Sequence, residues 1–426
     1  MDINTIAKKA KEASIRLAAV STEEKDKGLE RIAQALLDRQ EEILAANRAD
    51  LQRSEEEALG APLLKRLKFD QAKIREVVDG IRSLIGLPDP VGKVLMETEL
   101  DEGLLLVKES CPIGVIGIIF ESRPDALVQI SSLCLKSGNA VLLKGGSEAR
   151  ETNRILSQVI QDATQGAQIP QGWLHNLATR EDVQGLLKLD EWIDLIIPRG
   201  SNEFVRHIMD NSRIPVLGHA DGICHGYIHE DADLEMAVRV ANDSKTQYVA
   251  VCNAMETLLV HKGIAPRVLP PLAEKLKESN VKILGCPRTR ALIPCVEATE
   301  EDWKTEYLDY TLSIKVVDNL MEAIDHINTY GSGHTETILT QSQETADIFM
   351  DLVDAGNVFH NCSTRFSDGL RYGFGAEVGI STNKIHARGP VGLEGLMIYK
   401  YKLEGNGHIV KEYSDGVKKF HHKYLR

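Results

Sequence analysis

The stretch PIGVIGIIFESRPDALVQISSLCLKSGNAVLLKGGSEA, residues 112–149, decides the fold. Its first apolar run, PIGVIGIIF, reads as a short buried strand, a helical pattern begins near residue 124, and AVLLKG is a second such strand. The alternation continues through a helix over 148–164, the run IDLIIP and a helix over 201–210. Short apolar runs alternating with helices predict parallel strands joined by crossover helices. The pattern resumes beyond Cys252 with TLLVH, VKIL, SIKVV, TETILT and NVFH, interleaved with helices near 265–279, 319–329 and 342–354. The expected fold class is therefore α/β, with two lobes.

Outward from this region the chain changes character. Residues 3–86 read as helices: after Ser21-Thr22-Glu23-Glu24, the residues Leu29, Ile32, Ala33, Leu36 and Leu37 share one helical face. Gly86-Leu87-Pro88-Asp89-Pro90 breaks the pattern, and VGKVLMETELDEGLLLVKES then predicts a hairpin around Asp101-Glu102-Gly103. LMIYKYKLEGNGHIV predicts a second hairpin around Gly405-Asn406-Gly407, expected to pair with the first and build an oligomer arm.

Composition narrows the function. The 426 residues are 43% hydrophobic and 27% charged, ordinary for a globular protein of two or three domains. A net charge of −13 argues against sequence-independent nucleic-acid binding, which needs clustered cations. The basic C-terminal VKKFHHKYLR is expected to meet an acidic partner surface. Seven scattered cysteines without a C-x-x-C pair exclude a disulfide framework and a zinc knuckle, and imply a reducing cytoplasm. No stretch has the continuous apolar length of a signal segment or membrane span.

Neither glycine cluster, Gly114 with Gly117 nor Gly373 with Gly375 and Gly379, has the dinucleotide-binding spacing, and no P-loop is present. Two strand-to-helix turns remain as ligand crevices. In one, Lys144 precedes Gly145-Gly146 and Ser147; in the other, Arg199 precedes Gly200 and Ser201. A lysine or arginine there offers charge to a ribose or phosphate, and the following helix adds amide donors. The alternative is a solvated cation beside a turn.

In VAVCNAMETLLVH, residues 249–261, a lone cysteine stands where an apolar strand begins. A thiolate attacks carbonyl carbon and leaves again as a thioester, so Cys252 is a candidate nucleophile. Packing as a small hydrophobe is the alternative. A cysteine hydrolase or acyltransferase would pair Cys252 with His219, His225, His360 or His386, and no local spacing selects one. Cys362 is a weaker nucleophile candidate.

PIGVIGIIFESRPDAL, AVLLKGGSEA, IPVLGHADGICHGYIHEDADL, CNAMETLLVH, YGSGHTETILT and GAEVGIST-x-x-x-HARGPVGLE stand in an order and spacing that resembles the gamma-glutamyl phosphate reductase family, within the aldehyde dehydrogenase superfamily. The resemblance covers nearly the whole chain. It implies an aldehyde dehydrogenase-like fold: two Rossmann-like α/β lobes without the glycine fingerprint, plus a β-hairpin oligomerisation arm. The nucleotide-binding domain would comprise 1–90 and 112–222, the catalytic domain 223–390, and the arm 91–111 and 396–420. The implied reaction is NADPH-dependent reduction of L-glutamyl 5-phosphate to L-glutamate 5-semialdehyde, with release of phosphate, through a Cys252 thioester, in proline biosynthesis. The alternative is another superfamily member acting on a different semialdehyde or acyl donor.

The same resemblance assigns roles. Arg123 stands where hydrolytic relatives carry an oxyanion-binding asparagine, and a guanidinium suits an oxyanion or phosphate; a salt bridge to Glu121 is its structural alternative. His219 stands where those relatives carry the glutamate that activates water. Lys144, Ser147, Arg199, Gly200 and Ser201 would face the cofactor, with Glu306 on the nicotinamide ribose. Ser363, Thr364, Arg365 and Arg388 would meet the substrate, either arginine holding its α-carboxylate. No metal is expected. Two positions depart from the family pattern: Asp125 where asparagine is more frequent, and Val249-Ala250-Val251 where small residues precede the cysteine. A homo-oligomer is implied, and the lability of an acyl phosphate motivates a glutamate kinase partner. The residues alone do not decide NADP against NAD.

Overall fold

Asp2 and Ser21 open the first two helices, α1 (Ile3–Leu17) and α2 (Thr22–Asp38), by accepting hydrogen bonds from Thr5 N and Glu24 N. The computed structural model describes residues 2–121, 123–177, 180–219, 221–374 and 377–426; Gly375, in the glycine cluster noted above, lies outside them. Helices α3 (Gln40–Glu56), α4 (Ala61–Leu67) and α5 (Gln71–Ile85) follow. The predicted stripe Leu29, Ile32, Ala33 and Leu36 is fully buried where α2 packs on α5, while Leu37 lies at its margin. Each buried leucine contributes about 1.5–3 kcal/mol.

The Pro88–Pro90 break is pinned by Asp89, which meets the buried Lys25 ammonium at 2.6 Å, the Thr22 hydroxyl at 2.6 Å and Val91 N at 2.9 Å. This clamp sets where the hairpin of β1 (Val94–Asp101) and β2 (Leu104–Pro112) leaves the helical layer. Gly103 closes the turn at φ +72°, a conformation that costs a glycine little.

The first α/β lobe comprises β3 (Val115–Phe120), α6 (Pro124–Lys136), β4 (Ala140–Lys144), α7 (Arg150–Thr164), β5 (Leu174–Asn176), α8 (Arg180–Leu186), β6 (Leu195–Arg199) and α9 (Asn202–Asn211). Its four strands are parallel in the order β5-β4-β3-β6. Buried Asp50 of α3 accepts from Glu151 N, Thr152 N and the Thr152 hydroxyl, so the helical lead-in caps α7 directly.

The second lobe holds β7 (Cys224–Ile228), α10 (Leu234–Thr246), β8 (Met255–His261), β9 (Lys282–Gly285), β10 (Val296–Glu297), β11 (Thr311–Val317), β12 (Thr335–Leu339) and β13 (Asn357–His360). All seven strands are parallel, in the order β10-β9-β11-β8-β7-β12-β13. Strand β7 has no counterpart in the sequence reading because His225, Gly226 and Tyr227 interrupt its apolar run, yet every residue of it is buried.

After the small pair β14 (Gly379–Ser381) and β15 (Gly389–Val391), strand β16 (Met397–Glu404) returns to pair antiparallel with β2. The expected second hairpin does not form. Beyond Gly407 the chain turns into a short helix, Val410–Ser414, whose Tyr413 stacks on Phe420 at 4.2 Å and donates its hydroxyl to Asp101 at 2.8 Å. The basic tail also departs from expectation by docking on this chain's own acidic arm: β17 (Lys423–Tyr424) pairs with β1, and His421 lies 3.4 Å from Glu99. Among the described residues, no helix is long and apolar enough to cross a membrane.

Candidate active site

Cys252 lies in the turn that feeds β8, the middle strand of the seven-stranded sheet. Cys224, at the start of the neighbouring β7, donates its thiol to the Cys252 carbonyl at 3.1 Å. From the other side Thr364 Oγ1 donates to Asn253 O at 2.7 Å, and Asn253 Nδ2 donates to Ser367 O at 2.7 Å. Gly222 passes so close that a Cβ there would stand 2.5 Å from the Cys252 Cα, Cβ and carbonyl oxygen. Only a residue without a side chain leaves that turn undisturbed. Ser363 and Thr364 are accordingly engaged in framing the cysteine, since Ser244 Oγ meets Ser363 Oγ at 3.2 Å and accepts from Thr364 N at 3.3 Å.

Of the four histidines considered beside Cys252, the geometry brings one. His225 is paired with buried Glu336, His360 faces Thr340 O and His386 faces Gly395 O. His219 does approach the cysteine, and so does His334, which had no assigned role. The two imidazoles meet edge to face with centroids 4.9 Å apart. Burial pushes the His219 pKa down, against the opposing pull of Ile380 O, so the ring is neutral at pH 7. With Nδ1 donating to Ile380 O at 3.1 Å, the lone pair resides on Nε2.

A cavity of about 310 Å³ is lined by Arg123, Arg199, Asp368 and Glu377 together with the α5 residues Glu76 and Gly80. Arg123 pairs with Asp125 at 3.0 Å rather than with Glu121. The departure at position 125 thus supplies a buried carboxylate that orients the arginine. Glu121 instead lies against the Gly200-Ser201 turn, its pKa raised by burial and by Glu148. Arg199, expected on the cofactor side, turns into this cavity. Burial and the positive charge of Arg123 lower its pKa, while Glu377, Asp125 and Cys252 pull the other way. Position 199 ends a strand, and successive strand residues face opposite sides, so a turn motif alone could not show which way it points. Burial raises the Glu377 pKa against the opposing charge of Arg199, and Gly369 N donates to this carboxylate at 2.8 Å.

Arg365 is buried, donates through Nε to Gln247 Oε1 at 2.9 Å, and lies within the electrostatic reach of Cys252. Arg388 instead binds Asp354 at 3.0 Å and lines a separate cavity of about 380 Å³ with Lys384. The structure therefore separates the two arginines that the sequence left open, and Arg365 is the one beside the thiol.

Lys144 and Ser147 occupy the C-terminal end of β4, and Gly200 and Ser201 the end of β6, on either side of β3. Glu306 reaches this edge from the second lobe and accepts from Asn202 Nδ2 at 2.5 Å. A crevice at the C-terminal edge of a parallel sheet, with a carboxylate from the facing lobe, fits a nicotinamide dinucleotide.

Two parallel α/β lobes, a hairpin arm and a cleft thiol define an oxidoreductase of the aldehyde dehydrogenase type. The sequence model of the Aldehyde dehydrogenase family matches residues 1–294. A gamma-glutamyl phosphate reductase of Acetivibrio thermocellus is 69% identical, the alignment covering 100% of this chain and 99% of the relative. One from a Synechocystis strain is 51% identical over 99% of this chain and 97% of its own length. The crystal structure of gamma-glutamyl phosphate reductase from Thermotoga maritima superposes with a TM-score of 0.94 at 42% identity, covering 96% of this chain and 100% of that one. The chain belongs to the gamma-glutamyl phosphate reductase family.

Gly222, His334, Glu377 and Asn202 are site residues that sequence reasoning missed. His334 and Glu377 stand inside the quoted motifs, but no spacing ties them to Cys252, and Gly222 is distinguished only by what passes beside it.

Proposed function

We propose that this chain reduces L-glutamyl 5-phosphate to L-glutamate 5-semialdehyde with NADPH, releasing phosphate, in proline biosynthesis. The observation that carries the reading is a cavity holding two guanidiniums, Arg123 and Arg199, and three carboxylates, Glu76, Asp368 and Glu377, with Arg199 in electrostatic reach of the Cys252 thiol. A substrate bearing an acyl phosphate, an α-carboxylate and an α-ammonium needs partners of both signs. Arg123 and Arg199 suit the phosphate, Arg365 the α-carboxylate, and Glu377 the ammonium.

The Cys252 thiol gives its proton to solvent and the sulfur attacks the acyl carbon; the carbon–oxygen bond to phosphate breaks, phosphate departs with the bonding electron pair, and a thioester is left on the sulfur. Arg123 stabilises the charge that develops on the acyl oxygen and on the leaving phosphate. A bound nicotinamide supplies hydride. The resulting thiohemiacetal then expels the Cys252 thiolate as aldehyde forms. His219, half-buried and neutral beside the thiol, carries no carboxylate that would direct water onto the thioester. Lys144, Ser147, Gly200, Ser201 and Glu306 hold the dinucleotide. Residues 1–90 and 112–222 act as its domain, 223–390 as the catalytic domain, and 91–111 with 396–420 as the arm.

Strand β16 is an edge strand that exposes Ile398, Tyr399, Tyr401 and Leu403 at 42–57%, which supports pairing with a second copy of the chain. Light scattering on the purified protein tests this, and a monomer at micromolar concentration refutes it. The lability of the substrate supports delivery from a glutamate kinase partner in the cytoplasm; free diffusion of the intermediate between the two purified proteins would count against it.

The reaction is tested in reverse, by reduction of NADP⁺ with glutamate 5-semialdehyde. Turnover that requires phosphate and vanishes in Cys252→Ala is expected. Phosphate-independent turnover favours a hydrolytic dehydrogenase, and NAD⁺ outperforming NADP⁺ overturns the cofactor assignment.

A further inference from the structure

Cys252, His219 and His334 each contribute one ligand atom to a group in which all such atoms lie within 4.8 Å of one another. The reductive chemistry uses only the thiol. The two rings, inclined at 64°, present nitrogens from different directions, and one nitrogen of each is committed elsewhere: His219 Nδ1 to Ile380 O, and His334 Nδ1 to Thr335 Oγ1 at 2.8 Å. His334 is wholly buried, and its Nε2 finds no hydrogen-bond partner among the described residues. An unsatisfied buried ring nitrogen is costly unless something occupies it.

We propose that Cys252, His219 and His334 form an inhibitory site for a divalent ion of the zinc class, whose binding silences the thiol. One thiolate and two imidazoles, without a carboxylate, select a borderline ion such as Zn²⁺ over Mg²⁺ or Ca²⁺, which prefer oxygen ligands. Zinc holds sulfur at about 2.3 Å and nitrogen at about 2.0–2.1 Å, so the group needs to close by about 1 Å in side-chain motion. Three protein ligands leave the fourth tetrahedral position to water. On binding, the Cys252 S–H bond breaks, its proton passes to solvent and an S–Zn bond forms. No electron changes hands. A sulfur lone pair held by the ion cannot attack an acyl carbon, so activity falls in proportion to occupancy and returns when a chelator removes the metal.

The inhibitory consequence rests on Cys252 being the nucleophile, whereas the site itself is read without turnover. The full-length protein, stripped with chelator and desalted into thiol-free buffer, is titrated with Co²⁺ while the thiolate-to-cobalt charge-transfer band is followed. Zn²⁺ is then added as competitor, and iodoacetamide labelling of Cys252 is followed by peptide mass spectrometry. One equivalent of Co²⁺ with a thiolate band is expected, together with at least a tenfold slowing of labelling by Zn²⁺. His219→Asn and His334→Asn, each checked for folding by circular dichroism, weaken metal binding at least tenfold. Cys252→Ala loses the band.

A missing band in the folded wild type, or Zn²⁺ protection undiminished in both folded histidine variants, overturns the site. If a histidine variant fails to fold, the wild-type band and its loss in Cys252→Ala still decide. Should the site bind as expected while Cys252→Ala keeps full reductase activity, the nucleophile assignment and the inhibitory role fall while the metal site stands. Phosphate-dependent activity that needs Cys252 but resists Zn²⁺ overturns this inference and leaves the reductase reading intact.

Discussion

Gly222→Ala displaces the nucleophile without touching its chemistry. The new methyl would stand 2.5 Å from three Cys252 atoms, two of them backbone, so no change of rotamer relieves the clash. Ordinary carbon contacts begin near 3.5 Å, and the turn must therefore shift by about 1 Å. It resists that shift, because the thiol of Cys224 and the Thr364 and Asn253 side chains hold it from two sides. A misplacement of about 1 Å between reacting groups costs roughly 100-fold in rate, equivalent to about 2.7 kcal/mol in the barrier. We expect kcat in the phosphate-dependent assay to fall by about that factor. Circular dichroism and thermal melting establish that the fold survives. A folded variant with kcat within about threefold of wild type would refute the argument that the Gly222 approach sets the thiol position.

Other perturbations separate binding from catalysis and stability. Arg123→Lys keeps the charge but loses the forked geometry, and kcat/KM should fall about 10- to 100-fold, as expected for a charge-assisted hydrogen bond worth about 1.5–3 kcal/mol; unchanged kinetics would remove Arg123 from the site. Glu377→Gln should raise KM for the semialdehyde about tenfold or more with kcat nearly constant, the pattern of lost uniform binding; a fall in kcat alone would contradict an ammonium-holding role. Asp89→Asn leaves the Lys25 ammonium buried without its counter-charge and should cost about 3–5 kcal/mol in urea unfolding. Although burial works to raise the Asp89 pKa, Lys25, Thr22 and Val91 N hold it below the ordinary value of 3.8. Its stabilisation is thus present above that pH and lost as pH falls through the lower folded value; wild type and Asp89→Asn should converge in stability on acidification, and a constant difference would be inconsistent.

The layers of the fold were legible because burial imposes period on sequence. The runs at 115–120, 140–144 and 195–199 are nearly all apolar since both faces of those strands are covered, and the α2 stripe repeats because one face meets α5. Strand β7 escaped because its cost is met by polar pairing: His225 lies inside the sheet with Glu336 accepting from both its backbone N and its ring. Local pattern carries no trace of a partner so distant in sequence. The C-terminal hairpin failed for a related reason. Asn406-Gly407 is a sound turn signal, but the fate of the next residues is decided by Tyr413 reaching Asp101 across the sheet. Cys252 was recognisable from its setting, whereas the direction of Arg199 and the approach of Gly222 are tertiary facts.

The charges of the site are divided between the lobes in a way that explains the cleft. Arg199 ends β6 of the first lobe and Arg123 opens α6 just beyond β3, while Cys252 and Arg365 belong to the second. The helical lead-in contributes a wall of the cavity through α5. Neither lobe alone presents both the thiol and the pair of arginines. Glu306 bonded to Asn202 ties the second lobe to the β6–α9 turn, which also carries Arg199. The contact between Asn202 and Glu306, on the proposed dinucleotide side, therefore lies only a few residues from the Arg199 guanidinium on the proposed substrate side. Closing one half of the cleft restrains the other, and a perturbation at Asn202 should be felt by both ligands, whereas one at Lys144 should be felt mainly by the cofactor.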